Sequence, residues 1–273
     1  MPHGNLLITG ASTGIGLACA ARLAALGYRV FAGVRSVGAA DAVRGLAPNL
    51  VPVMLDVGEP ASIGAALAAL EGEPLAGLVN NAGIAVIGPV ELVPLNEWRR
   101  QYEVNLFGVV AVTQACLPHL RRSAGRIVNM GSIAGRSALP GSAAYDSSKF
   151  ALEGLSDALR LELRPFGISV SLIEPGAIAT PIWEKTLADF DRQSLEFATD
   201  IRATYSDLLA RIRDEIVKSA GHGLSAKAVA DAVTHAMTAS RPRTRYVVGR
   251  DARLALLLNL LPDRVKDWLI LRA

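Results

Sequence analysis

A short apolar run, Asn5 to Thr9, passes directly into Gly10, Gly14 and Gly16 and then into an Ala- and Leu-rich stretch that ends near Gly27. Strand, glycine turn and helix in that order form an anion-binding arrangement. The glycines let the backbone bend sharply, and a pyrophosphate can approach the helix N-terminus, where unpaired N–H groups and the helix dipole favour negative charge. The spacing is GxxxGxG rather than GxGxxG. A glycine-rich turn alone would look the same, so the downstream segments have to decide. Arg29 to Val34 reads as a second strand, Leu50 to Leu55 as a third and Leu75 to Val79 as a fourth, with a helix over Ala61 to Leu70. This repeated alternation of strand and helix is the pattern of a doubly wound parallel α/β sheet.

The rest of the chain continues the pattern. Asn96 to Leu120 reads as one long helical stretch with Asn105 on its apolar face among Val104, Leu106, Val109 and Val112, where an amide needs hydrogen-bond partners. Gly125 to Met130 is a fifth strand and Ser132 lies just beyond it. From Phe150 to Leu163 the leucines at 152, 155, 159 and 163 recur at three- and four-residue steps, so the segment is an α-helix with one buried face. If that helix begins a few residues before Tyr145, then Tyr145 and Lys149 stand one turn apart on the same face. A free phenol has a pKa of roughly 10, and a neighbouring ammonium lowers it, which suits the pair to proton exchange with a carbonyl or alcohol. Most Tyr and Lys pairs at this spacing are amphipathic surface. Ser142, Ser147 and Ser148 are nearby hydroxyls that read as turn or helix-start residues. Ile168 to Ile173 is a sixth strand broken by Pro175-Gly176, Ser225 opens a helix through Ala239, and Arg245 to Val248 is a last short strand.

What lifts the Tyr145 and Lys149 pair is its company. TGASTGIG at residues 9–16, LDV at 55–57, NNAG at 80–83, Asn105 in VNLFG, Ser132 thirteen residues before Tyr145, YDSSK at 145–149 and PGAIAT at 175–180 together resemble the short-chain dehydrogenase/reductase family, and VFAGVR at 30–35, YDSSKFALEGL at 145–155 and the apolar groups of 182–222 look most like its hydroxysteroid and retinol dehydrogenase branch. The resemblance runs to about Thr180 and is looser beyond. It implies a single Rossmann-type doubly wound parallel sheet of about seven strands, helices on both faces, and a helical substrate-lid insertion. It implies hydride transfer between a nicotinamide cofactor and a secondary alcohol or ketone. Tyr145 would then exchange the proton, Lys149 would lower its pKa and hold the nicotinamide ribose, Ser132 would orient the substrate oxygen, and Asn105 would support a proton relay. Cofactor contacts would come from Gly10, Ser12, Thr13, Gly14, Ile15, Gly16, Arg35, Asp56, Val57, Asn81, Ala82, Gly83, Pro175, Gly176, Ile178 and Thr180, besides Tyr145 and Lys149. The second strand ends in Val34-Arg35-Ser36 without the acidic residue that binds the ribose 2′-hydroxyl of NAD. Arg35 can instead pair with a 2′-phosphate, which favours NADP(H) and leaves NAD(H) as the alternative. The long helix and the one after Tyr145 resemble those that make a four-helix dimer contact, so a homodimer or homotetramer is expected.

Residues 182–222 carry Trp183, Leu187, Phe190, Phe197 and Tyr205 among many charges and read as one or two amphipathic helices over the cleft; the resemblance implies a lid for a bulky lipophilic substrate, and an oligomer contact or surface helix is the alternative. The tail, 252–273, holds the apolar run Leu254 to Leu261 and then Val265, Trp268, Leu269 and Leu271; it can cover a pocket, a subunit contact or a membrane surface, and the first two are favoured. No apolar run reaches the roughly 18 residues needed to span a bilayer. With 273 residues, 51% hydrophobic and 19% charged, the chain suits one large α/β domain over 1–273 rather than disorder. A net charge of +3 without a basic run argues against nucleic acid. Cys19 and Cys116 each sit in an apolar helical pattern and read as reduced core residues. The opening MPHGNLLITG has no basic flank, apolar h-region or cleavage site, which argues for a cytoplasmic protein. His3, His119, His222 and His235 show no paired ligand spacing, so no metal site is expected. Three rival readings are a non-catalytic NADP-sensing regulator of the same fold, which would be expected to lose Ser132, Tyr145 or Lys149, a structural or membrane-docking module led by the C-terminal tail, and a reductase of small polar carbonyls.

Overall fold

In the computed structural model, which describes residues 4–272, strand β1 (Asn5–Ile8) sends Leu6 and Ile8 into one apolar cluster and Leu7 into another. A strand buried on both faces is what a parallel sheet covered by helices requires, and it explains the unbroken apolar runs in the sequence. The other strands are β2 (Arg29–Val34), β3 (Leu50–Met54), β4 (Leu75–Asn80), β5 (Arg126–Met130), β6 (Ser169–Pro175), β7 (Ile178–Ala179), β8 (Leu224–Ser225) and β9 (Arg245–Val248). Seven of them form one parallel sheet in the order β3-β2-β1-β4-β5-β6-β9. Helices α1 (Gly14–Ala25), α2 (Val37–Arg44), α3 (Pro60–Ala68), α4 (Leu95–Tyr102), α5 (Gly108–Arg121) and α6 (Ala143–Glu162) alternate with these strands. After β7 come α7 (Ile182–Glu196), α8 (Thr199–Thr204) and α9 (Ser206–His222), then α10 (Ala226–Thr238), α11 (Arg250–Leu258) and α12 (Asp263–Arg272). Helices α1 and α10 cover one face through Cys19, Leu23, Val229 and Val233. Helices α3 and α5 cover the other through Ile63, Val112, Cys116 and Leu120. The two cysteines are therefore free, buried and on opposite faces, and burial pushes both thiols up to about 12.

Four details differ from the sequence expectation. The single helix predicted over Asn96 to Leu120 is α4, a π-helical turn (Glu103–Phe107) and α5. The wider turn buries Asn105, and such bulges recur at functional sites. The sixth strand does not stop at Ile173 but runs through Pro175, because Pro175 still pairs with Val248 and Gly176 N–H reaches the Val248 carbonyl at 2.9 Å. Residues 182–222 form three helices, which bury Phe190, Leu209, Ile212 and Ile216 against Ile87 and Leu92 of the loop after β4. The two-residue parallel pair β7 and β8, too short to leave a periodic signal, ties Ile178 to Leu224. Among the described residues, no helix is long and apolar enough to cross a membrane. Nor do three His, Cys, Asp or Glu side chains gather as metal ligands there; His3 lies outside the described residues.

Candidate active site

The strand order reverses between β1 and β4, and a cleft opens at the carboxyl ends of the strands at that switch point, where open α/β sheets bind ligands. It has a volume of about 360 Å³ and draws its walls from the turns after β1, β2, β3, β4, β5 and β6 and from α6 and α7. Every residue expected from the sequence at the cofactor, from Gly10 to Thr180, lines it, as do Ser132, Tyr145 and Lys149. Asn105 does not.

The glycine turn is held from below by the loop after β4. Thr9 Oγ1 accepts from the backbone N–H groups of Asn81 and Ala82, both at 2.9 Å, and Asn81 Nδ2 donates to the carbonyls of Thr9 and Gly10 at 2.9 and 3.0 Å. Gly14 stands at φ +56°, in the left-handed region, at the mouth of α1. A Cβ there would meet Thr180 Cγ2 at 3.2 Å, so the floor under the helix N-terminus is bare backbone shaped for a close-lying anion. Across the cleft Arg35 is exposed and makes no hydrogen bond or ion pair among the described residues. Bare backbone at a helix N-terminus fits the pyrophosphate of a dinucleotide.

Helix α6 begins at Ala143, two residues before Tyr145, so Tyr145 and Lys149 do share a face, with the Lys149 Nζ 5.7 Å from the centre of the phenol ring. Lys149 Nζ donates to the Met130 carbonyl at 2.8 Å at the end of β5, and burial brings the ammonium down to about 8. The Ser132 hydroxyl hydrogen-bonds the Tyr145 phenol, which lowers the phenol's pKa, but desolvation outweighs it and the group is pushed up to about 12. Loss of solvent acts on both groups and favours both neutral forms, so the net position of the phenol is set by burial and not by the neighbouring Lys149 that the sequence expectation relied on.

Asn105 sits behind the cleft. Its Oδ1 accepts from Ile84 N–H at 2.9 Å and its Nδ2 donates to the Ile84 carbonyl at 3.0 Å, which fixes the chain immediately after Asn81-Ala82-Gly83. Ser148 is not a helix-start residue: it is fully buried one turn inside α6, donates to the Tyr145 carbonyl at 2.7 Å and accepts from Gln101 Nε2 at 3.2 Å and Asn105 Nδ2 at 3.4 Å. Ser147 likewise lies inside the helix and donates back to the Ala143 carbonyl at 2.6 Å, while Ser142 precedes it. The polar contact between α4, the π turn and α6 thus runs directly beneath the Tyr145 peptide.

The sequence pattern of the short chain dehydrogenases matches residues 5–190. The chain belongs to the short-chain dehydrogenase family. It is an oxidoreductase that acts on a CH–OH centre with NAD(P) as acceptor. It is 37% identical to an uncharacterized oxidoreductase, YusZ, of Bacillus subtilis, over 93% of this chain and 92% of that one. It is 36% identical to the 17-beta-hydroxysteroid dehydrogenase type 6 of Bos taurus, over 98% and 87%. Identity to the retinol dehydrogenase 5 of Mus musculus is also 36%, over 98% and 89%. The relatives thus include the hydroxysteroid and retinol branch. A solved short-chain dehydrogenase from Streptomyces avermitilis superposes with a TM-score of 0.78 at 29% identity, over 97% of this chain and 94% of that one.

Several residues lining the dehydrogenase's cleft were not expected there from the sequence. Ile84, Val104, Ile182 and Trp183 give it an apolar wall, and Trp183 is pinned by its indole N–H to the Ile178 carbonyl at 2.9 Å. Arg100, Lys185 and Asp189 also line it. Arg100 pairs with Glu97 at 2.6 Å and reaches Asp189 at 3.8 Å, which links α4 to α7. Gln101, wholly buried, accepts from Val86 N–H at 2.7 Å and donates to the Ile84 carbonyl at 3.1 Å. The signal available for Gln101 was a polar residue in a helix facing an apolar loop, which without coordinates is indistinguishable from surface.

Proposed function

We propose that this dehydrogenase interconverts a bulky lipophilic secondary alcohol and its ketone, steroid- or retinoid-like, with NADP(H) favoured over NAD(H). The observation that carries the reading is the convergence of the Ser132 hydroxyl, the Tyr145 phenol and the Lys149 ammonium on the same cleft as the glycine turn. The apolar wall of Ile84, Val104, Ile182 and Trp183 and the hydroxysteroid and retinol relatives support the substrate class. A bound nicotinamide supplies or accepts the hydride. Ser132 and Tyr145 polarise the substrate oxygen where charge develops. With its phenol held up to about 12, Tyr145 stays protonated at neutral pH and acts as the acid in the reduction direction. Lys149 stabilises the phenolate left behind, and Asn105 keeps the Ile84 backbone in place beside it. The retained trio speaks against a non-catalytic regulator. Residues 1–273 are read as one catalytic domain, 182–222 as its lid and 252–273 as its tail. Phe107, Phe150 and Leu161, 54%, 47% and 61% exposed along the π turn and α6, support a homodimer or homotetramer through these helices. A cytoplasmic location is part of the same proposal.

Fluorescence titration with NADPH and NADH, then turnover with steroids, retinoids and simple ketones, tests the reading; binding of neither nucleotide would end it. Arg35→Ala is expected to weaken NADPH about 10- to 100-fold, the scale of a lost charge-assisted contact, and to leave NADH nearly unchanged. Equal loss for both nucleotides would remove Arg35 as the selector. The Lys149 ammonium sets the pH response. Because burial lowers its pKa to about 8, the charged form prevails below pH 8 and is lost above it. The kcat/KM for ketone reduction should therefore be level below about pH 8 and fall about tenfold per unit above it. A profile still level at pH 10 would count against that role.

A further inference from the structure

Two of the loops that line the cleft are gripped from outside it by one helix. At the first turn of α11, Asp251 Oδ2 accepts from Ala177 N–H at 2.7 Å. The carboxylate is seated so closely against the Pro175-Gly176-Ala177 backbone that a side chain on Gly176 would overlap it. The Ala177 carbonyl is held on its other side by Leu224 N–H at 2.9 Å, so with the Asp251 bond both peptide units that flank the Ala177 Cα are fixed. At the far end of α11, Asn259 Nδ2 donates to the Arg136 carbonyl at 2.6 Å. Arg136 closes the turn that starts at Ser132, where Gly135 N–H reaches the Ser132 carbonyl at 2.9 Å, and its guanidinium pairs at 3.2 Å with Glu174, buried in β6. Between these two polar grips Ala252 is wholly buried. Asp251 and Asn259 stand eight positions apart along α11 and its C-cap, about 12 Å of stiff backbone. Neither side chain lines the cleft.

We propose that α11 is a positioning brace: Asp251 sets the loop from Pro175 to Thr180 for the cofactor, and Asn259 sets the Ser132 turn for the substrate oxygen. The inference rests on the reading of the cleft as a dinucleotide site. It gives this part of the tail a task inside its own subunit, and both grips act through other residues rather than on the reacting atoms.

The test is amide hydrogen exchange on the nucleotide-free, full-length chain, combined with NADPH titration and steady-state rates. In Asp251→Ala, exchange in residues 174–180 should quicken and NADPH affinity fall, each about tenfold, the scale of one lost hydrogen bond, with exchange in 131–137 unchanged. Asp251→Asn, whose carboxamide oxygen can accept the same bond, should restore both. Asn259→Ala should quicken exchange in 131–137 and lower kcat about tenfold while NADPH affinity stays at the wild-type value, and it is the arm that decides if Asp251→Ala does not fold. Unchanged exchange in both loops, or an Asn variant as impaired as the Ala variant, would overturn the proposal. If the wild-type chain bound neither NADPH nor NADH, the reading of the cleft would fall, while the exchange rates would still decide whether α11 braces these loops.

Discussion

Replacing Tyr145 with phenylalanine is expected to lower turnover about 10³-fold while leaving NADPH affinity within about twofold of wild type. The size follows from what a positioned proton donor contributes, 10²- to 10⁴-fold in general. The selectivity follows from the geometry. The variant keeps the ring, so the packing of α6 on β5 is undisturbed, and Lys149 still reaches the Met130 carbonyl. The anion cradle lies at the other end of the cleft, where Thr9 and Asn81 brace the turn without help from α6. Only the hydroxyl that bonds Ser132 and would meet the substrate oxygen is gone. Titration of the variant with NADPH beside single-turnover rates separates the two effects. Turnover within tenfold of wild type would remove Tyr145 from the acid's role. A parallel collapse of nucleotide binding would mean that the phenol holds the cofactor rather than the proton.

The parts of this molecule that were legible in the sequence are those fixed by local rules. A strand buried on both faces must read as an apolar run, and Leu6-Leu7-Ile8 does. A turn that admits a pyrophosphate must use residues without side chains, and Gly10, Gly14 and Gly16 supply them. The helix carrying Tyr145 and Lys149 was readable from its leucines, although the pairing with Ser132 drew its meaning from the family resemblance. What escaped depends on residues distant in sequence. Gln101 meets Ser148 across 47 positions and Asp251 meets Ala177 across 74, and neither pair leaves a spacing or a motif. The π turn that buries Asn105 is a single wide turn inside a continuous helical pattern, invisible to periodicity. The acidity of Tyr145 escaped as well, because a neighbouring lysine can be read from a sequence but the loss of water around both groups cannot.

The largest effect on folding is expected from Gly16→Ala. Gly16 is buried at the start of α1, and a Cβ there would overlap the Gly10 carbonyl oxygen and stand 2.5 Å from Asn81 Nδ2. Neither obstacle is a free side-chain end. The first is backbone of the turn itself, and the second is held by two hydrogen bonds, to the Thr9 and Gly10 carbonyls. Relief would need α1 to lift from β1, but Cys19, Ala20 and Leu23 on that helix are wholly buried in the core it shares with α10. Overpacking usually costs about 1–3 kcal/mol, and an obstruction made of backbone puts this site at or above the top of that range. That is a large share of a stability of about 5–15 kcal/mol. The same displacement would open the turn beneath the phosphates, so NADPH affinity should fall more than 100-fold in whatever fraction folds. The control is Gly64→Ala in α3, where an added Cβ meets nothing within 4 Å; helix propensity predicts stabilisation by up to about 1 kcal/mol. Urea unfolding of both variants, with the slope checked against wild type, reads the difference. A Gly16→Ala protein within 1 kcal/mol of wild type would show that α1 can yield at its first turn and that the tight fit of the glycine turn does not govern the fold.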